Sequence, residues 1–99
     1  MKAIIGGKIY NTETAELIVE GDNGLSVNDG YYRIERLYRT KKGVYFIHNA
    51  SGQIVVLNSD FTFPNPELTN VADIKDWLEL WKVAELPKRE RKLFSITEG

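Results

Sequence analysis

Residues 31–58 read YYRIERLYRTKKGVYFIHNASGQIVVLN. Three runs rich in aromatic and β-branched residues are separated by two short glycine-containing turns, Lys41-Lys42-Gly43 and Asn49-Ala50-Ser51-Gly52. Such runs suit a pleated, half-buried surface. The spacing predicts a three-stranded antiparallel meander with strands over 31–40, 44–49 and 53–58. In the first strand Tyr32, Ile34, Arg36 and Tyr38 share one face, and Tyr31, Arg33, Glu35, Leu37 and Arg39 the other. The first face is the more apolar, with Arg36 interrupting it, and an arginine can lay its stem along apolar neighbours. In the middle strand Val44, Phe46 and His48 alternate with Tyr45, Ile47 and Asn49, so both faces need cover.

Upstream, Gly6-Gly7 links the runs 2–5 and 8–10, a tight-hairpin signal because both turn positions tolerate positive φ. Asn11-Thr12-Glu13-Thr14 reads as a polar turn. Residues 15–20 alternate Ala15, Leu17 and Val19 with Glu16, Ile18 and Glu20, the period of a strand. Asp22-Asn23-Gly24 and Asn28-Asp29-Gly30 bracket a loop that Leu25 and Val27 are expected to pin to the body. Downstream, Phe63-Pro64-Asn65-Pro66 breaks any ladder, which predicts a loop over 60–70. The period then changes. Val71, Ile74, Leu78 and Trp81 are three and four apart, predicting an amphipathic helix over 71–84 with Asn70 as N-cap and Pro87 as its limit. Residues 88–92, KRERK, read as a solvated charged run, and Leu93, Phe94 and Ile96 as an edge strand or a hydrophobic plug.

The chain of 99 residues reads as one domain, 1–99: a β-rich part over 1–58, the helix over 71–84, and a charged segment and tail over 88–99. The expected class is α+β, an antiparallel sheet of five or six strands with one C-terminal helix packed on one face. The absence of cysteine excludes disulfides and thiolate metal sites and fits a reducing compartment. The opening MKAIIGGKIY is too soon broken for a signal peptide, and no apolar run approaches the roughly 20 residues of a bilayer span. No membrane partner is expected.

Candidate chemistry is sparse. His48 is the only histidine, so the usual zinc sites are out, and no nucleophile elbow surrounds Ser51, Ser59 or Ser95. Its ordinary role is a hydrogen-bonded strand residue. The glycine pairs lack the Lys-Ser/Thr of a phosphate loop. No metal, cofactor or catalytic residue is expected, and the chain reads as a non-enzyme. Two surfaces remain. One is the Tyr/Arg strand face with Tyr31, Arg33, Arg36, Arg39, Lys41 and Lys42; such a mixture suits protein interfaces and can also hold nucleic acid. Pairing of these arginines with Glu16 or Glu20 across strands is the ordinary reading. The other is the acidic helix face with Asp73 and Asp76, whose ordinary role is to complement the helix N-terminus. The net charge of −1 gives no global pull toward nucleic acid.

Residues 1–18, MKAIIGGKIYNTETAELI, together with LYRTKKGVYFIHNASG at 37–52 and Asp76-Trp77-Leu78, resemble a family of small, largely uncharacterised proteins of phages and other mobile elements in Gram-positive and gut bacteria. Gly6-Gly7 stands where that family has Asn-Gly, and Asn11 where it has Asp; both keep the turn chemistry. The resemblance covers most of 1–58 and, more weakly, 71–84. It implies a non-enzymatic accessory protein of the host cytoplasm that inhibits a host protein, in the manner of anti-CRISPR proteins. The alternatives are a small nucleic-acid-binding regulator and a binder of a small signalling nucleotide. A homodimer through a free sheet edge or the Leu93–Ile96 tail also fits the sequence.

Overall fold

The computed structural model describes residues 1–57 and 71–97. The loop expected over 60–70 and its Asn70 cap lie outside the described residues, as do the side chains of residues 71–73.

The meander is present. Its strands are β4 (Ile34–Arg39), β5 (Tyr45–His48) and β6 (Ile54–Leu57), and β3 (Glu16–Asp22) adds to the outer side of β4, giving an antiparallel sheet in the order β3-β4-β5-β6. β1 (Lys2–Ile5) and β2 (Lys8–Asn11) form a separate two-stranded ribbon around Gly6 and Gly7, both at positive φ. The six strands are therefore divided between two sheets instead of sharing one. The turn after β2 makes the division. The Asn11 carbonyl accepts the amides of Thr14 and Ala15, its side chain accepts the Glu13 amide, and the Thr12 amide donates to the Met1 carbonyl. The ribbon thereby lies over the sheet and covers an apolar row.

That row is set by register. Leu17, Tyr38, Phe46 and Val56 stand opposite one another across the four strands. Tyr38 stacks on Phe46 at 5.2 Å, and Tyr10 of the ribbon meets Phe46 edge-on at 5.7 Å. Ala3 and Ile5 close the same cluster. The opposite face carries Leu37, Tyr45, Ile47 and Leu57, against which Ile74, Trp77, Leu78 and Phe94 pack. Leu37 and Phe46 are both fully buried and point to opposite faces, which confirms the two-sided central strands that alternation predicts. The strict alternation expected over 15–20 is broken. A bulge at Ile18 lets both Ile18 and Val19 pack toward the helices and leaves Leu17 on the ribbon side, 46% exposed.

Two helices, not one, follow. α1 (Val71–Leu80) is shorter than the expected 71–84. It stops because Lys82 takes φ 56°; the Val83 amide then donates to the Leu78 carbonyl and the Lys82 amide to that of Glu79. The charged run is helical, α2 (Lys88–Leu93), which Pro87 opens as its N-cap; Lys88, Arg89, Arg91 and Lys92 are exposed as expected, and Glu90 is not. Glu90 is 1% exposed because Arg39, on the helix-facing side of β4, binds its carboxylate. α2 ends by the same device as α1, with Ser95 at φ 57° and the Ile96 amide donating to the Arg91 carbonyl. Phe94 is the hydrophobic plug, wholly buried and edge-on to Tyr45 at 5.1 Å.

Two polar ties position α1. The Trp77 indole donates to Glu35 Oε1 at 2.8 Å, while Glu35 Oε2 accepts the Ala50 amide at 2.9 Å. The Asp22 amide donates to the Trp81 carbonyl at 2.8 Å, fastening the end of β3 to the end of α1.

Candidate functional site

The basic residues at 33–42 do not form one continuous surface. Arg36 points to the ribbon side of the sheet and Arg39 to the helix side, as their register partners require. Arg36 Nε binds Glu20 at 2.7 Å, and that hydrogen bond, reinforced by the charge, holds its guanidinium above the ordinary arginine range. Arg39 binds both Glu16 and Glu90. Burial works to lower its pKa, but the Tyr45 hydroxyl and the two carboxylates outweigh it, so it too is held above the usual value. The cross-strand pairing with Glu16 and Glu20 read from the sequence is thus present. Lys41 and Lys42 are exposed in the β4–β5 turn, and Asp76 is exposed on α1.

Arg33 and Tyr31 belong to a different feature, the loop joining β3 to β4. Asn23 is its hub. The Asn23 amide group Nδ2 donates to the Tyr31 carbonyl at 2.8 Å, and Oδ1 accepts the amides of Arg33 and Leu25. The Asn23 backbone amide donates to the Arg33 carbonyl. Asp22 accepts the Gly24 amide at 2.7 Å, and Asp29 that of Tyr31 at 2.8 Å. Arg33 folds back, its Nη1 donating to the carbonyls of Gly30 and Tyr32. These are the local side-chain-to-backbone bonds that Asn and Asp favour in turns.

Leu25 and Val27 do not pin the loop to the body; hydrogen bonds do. Val27 is 72% and Tyr31 78% exposed, and Leu25 is also exposed. A long loop is thus ordered from within while it presents two aliphatic side chains and a tyrosine to solvent. The two Asx-Gly clusters at 22–24 and 28–30 are the sequence signal for that order; the exposure of the apolar residues has no local signal.

His48 lies on β5, half-buried, opposite Arg36. Among the described residues no three His, Asp or Glu side chains are grouped to hold a metal ion. No helix among them is long and apolar enough to cross a membrane. Compared with protein-family models, with curated proteins and with solved structures, the chain finds no match.

Proposed function

We propose that this chain is a non-enzymatic binding protein that inhibits a host protein, of the kind mobile elements direct against defence nucleases such as CRISPR effectors. The observation that carries the binding role is the self-braced loop at 23–33. Aromatic and arginine side chains dominate interface hot spots, and Tyr31 and Arg33 are both exposed there. Each large apolar side chain taken from water contributes about 1.5–3 kcal/mol. An already ordered loop loses little further freedom on docking, so more of that gain survives as affinity. Tyr31, Val27 and Leu25 enter a groove on the target and occlude it. The target class comes from the resemblance of residues 1–18 and 37–52 to mobile-element proteins.

The test is a titration into cleavage reactions of purified RNA-guided nucleases. Inhibition that saturates at one inhibitor per nuclease, and that disappears in a Tyr31→Ala, Val27→Asp variant with unchanged melting, supports the reading. Inhibition that survives those changes refutes the loop as the contact. Full inhibition at far below equimolar amounts refutes stoichiometric action, and activity untouched across the set refutes the nuclease as target.

A further inference from the structure

We infer that the chain also holds a small anion, a nucleoside phosphate in chemical class, in a recess on the ribbon side of the sheet. The recess has a volume of about 320 Å³ and is lined by Tyr32, Arg33, Arg36, His48 and, in the turn after β5, Asn49, Ala50 and Gly52. That matches the lower end of ordinary ligand pockets. It shares Tyr32 and Arg33 with the 23–33 loop but uses none of that loop's exposed apolar side chains, Leu25, Val27 and Tyr31, and does not depend on their role.

Register explains why the recess exists. Next to the row that Tyr10 covers lies a second row, Glu20, Arg36, His48 and Ile54, one residue from each strand. The ribbon reaches Ile54, which is buried with Phe46 and Val56, but leaves Arg36 and His48 half-exposed. A polar pair in the middle of a sheet face is thus left in a recess that Tyr32 also lines.

The donors there are unspent. Glu20 takes only Nε of Arg36, so both terminal nitrogens find no protein partner among the described residues. The same holds for the His48 ring. Asn49 Oδ1 accepts the amides of Ser51 and Gln53, which fixes the orientation of that amide group and leaves Nδ2 as its spare donor. Arginine, histidine and an amide converging on one hollow match the oxygen-rich face of a phosphate. The hollow at the other end of β4 also holds cations, Arg39, Lys41 and Arg89, but Glu16 lines it too and already binds Arg39. Glu16 and Glu20 thus interrupt a continuous basic track, whereas a single phosphate with one attached group meets Arg36, His48 and Asn49 together.

The test uses the intact chain and nuclear magnetic resonance, where one histidine gives unambiguous ring signals. The four nucleoside monophosphates, inorganic phosphate, adenosine and a short single-stranded oligonucleotide are titrated separately. Saturable shifts of the His48 ring with at least one monophosphate, absent with adenosine, are expected. Arg36→Gln, read at the His48 ring, and His48→Gln, read at the backbone amides of Asn49, Ala50 and Gly52, should each weaken that binding about tenfold, the usual weight of a hydrogen bond to a charged group. Melting curves confirm that both variants fold. Non-saturating shifts, equal response to adenosine, or unchanged affinity in both variants overturn the site. Phosphate matching the best monophosphate overturns the nucleoside part. Much tighter, steeply salt-dependent binding of the oligonucleotide overturns the small ligand in favour of nucleic acid.

Discussion

Replacing Gly21 by alanine should unfold much of the molecule's margin of stability. Gly21 is buried on β3, and a Cβ built there falls 2.6 Å from Trp81 Cβ, 2.7 Å from the Trp81 carbonyl oxygen and 3.1 Å from a Val83 methyl. Carbon atoms pack at about 3.5–4.0 Å, so Trp81 would have to retreat by about 1 Å. It has little room to do so. Its carbonyl holds the Asp22 amide, and Lys82 and Val83 just beyond are locked to the last turn of α1. Overpacking of this kind costs about 1–3 kcal/mol, and losing the Asp22–Trp81 hydrogen bond adds about 1 kcal/mol. The expected loss is therefore about 2–4 kcal/mol, or a melting temperature lower by roughly 10–25 °C for a domain of this size. Denaturant unfolding followed by far-ultraviolet circular dichroism and tryptophan fluorescence measures it. Gly30→Ala is the matched control: the added methyl meets open space at ordinary φ, and stability should stay within about 0.5 kcal/mol. If the two variants unfold alike, the close approach of β3 to Trp81 is wrong.

Glu90→Ala strips Arg39 of its buried partner and should cost about 3 kcal/mol in chemical denaturation, whereas Glu16→Ala, at the solvent-facing end of the same arginine, should cost under about 1 kcal/mol. The Tyr45 hydroxyl is buried near Arg39 and Glu90 without a partner at hydrogen-bonding geometry, so Tyr45→Phe should be neutral or stabilising by up to about 1 kcal/mol. Burial also pushes the Tyr45 phenol above its ordinary value; the unfolded phenol ionises first, so this residue's contribution is intact below about pH 10 and is lost as pH climbs through the folded pKa. Unfolding curves of wild type should consequently drop relative to Tyr45→Phe in strong alkali. Lys82→Gly and Ser95→Gly relieve left-handed backbone at the two helix ends and should each raise stability by about 0.5–1 kcal/mol in thermal melts.

Alternation and turn chemistry located all six strands within a few residues, because each is a short-range pattern. How the strands divide between sheets was not legible, since it depends on Tyr10 finding Phe46 and not on anything near Tyr10 in the chain. The end of α1 was misplaced because its stop is a lysine in left-handed backbone, where the usual marker is glycine. α2 was hidden because Glu90 looks solvated until its partner, 51 positions away, is known. The candidate surfaces fared similarly. Tyr31 and Arg33 are exposed in the β3–β4 loop and not on the strand face expected for them, Arg36 and Arg39 face opposite sides of the sheet, and the exposure of Val27 goes with the bonds made by Asn23.

Arg39 joins Glu16 near the start of the chain to Glu90 near its finish, and Phe94 seals the same cluster. During synthesis the meander can pair early, yet its helix-side face stays open until the ribosome has released residue 94. Folding is then a closing event that waits for α2, and a product cut short before it would emerge with Leu37, Tyr45 and Ile47 less covered, ready for proteolysis or aggregation.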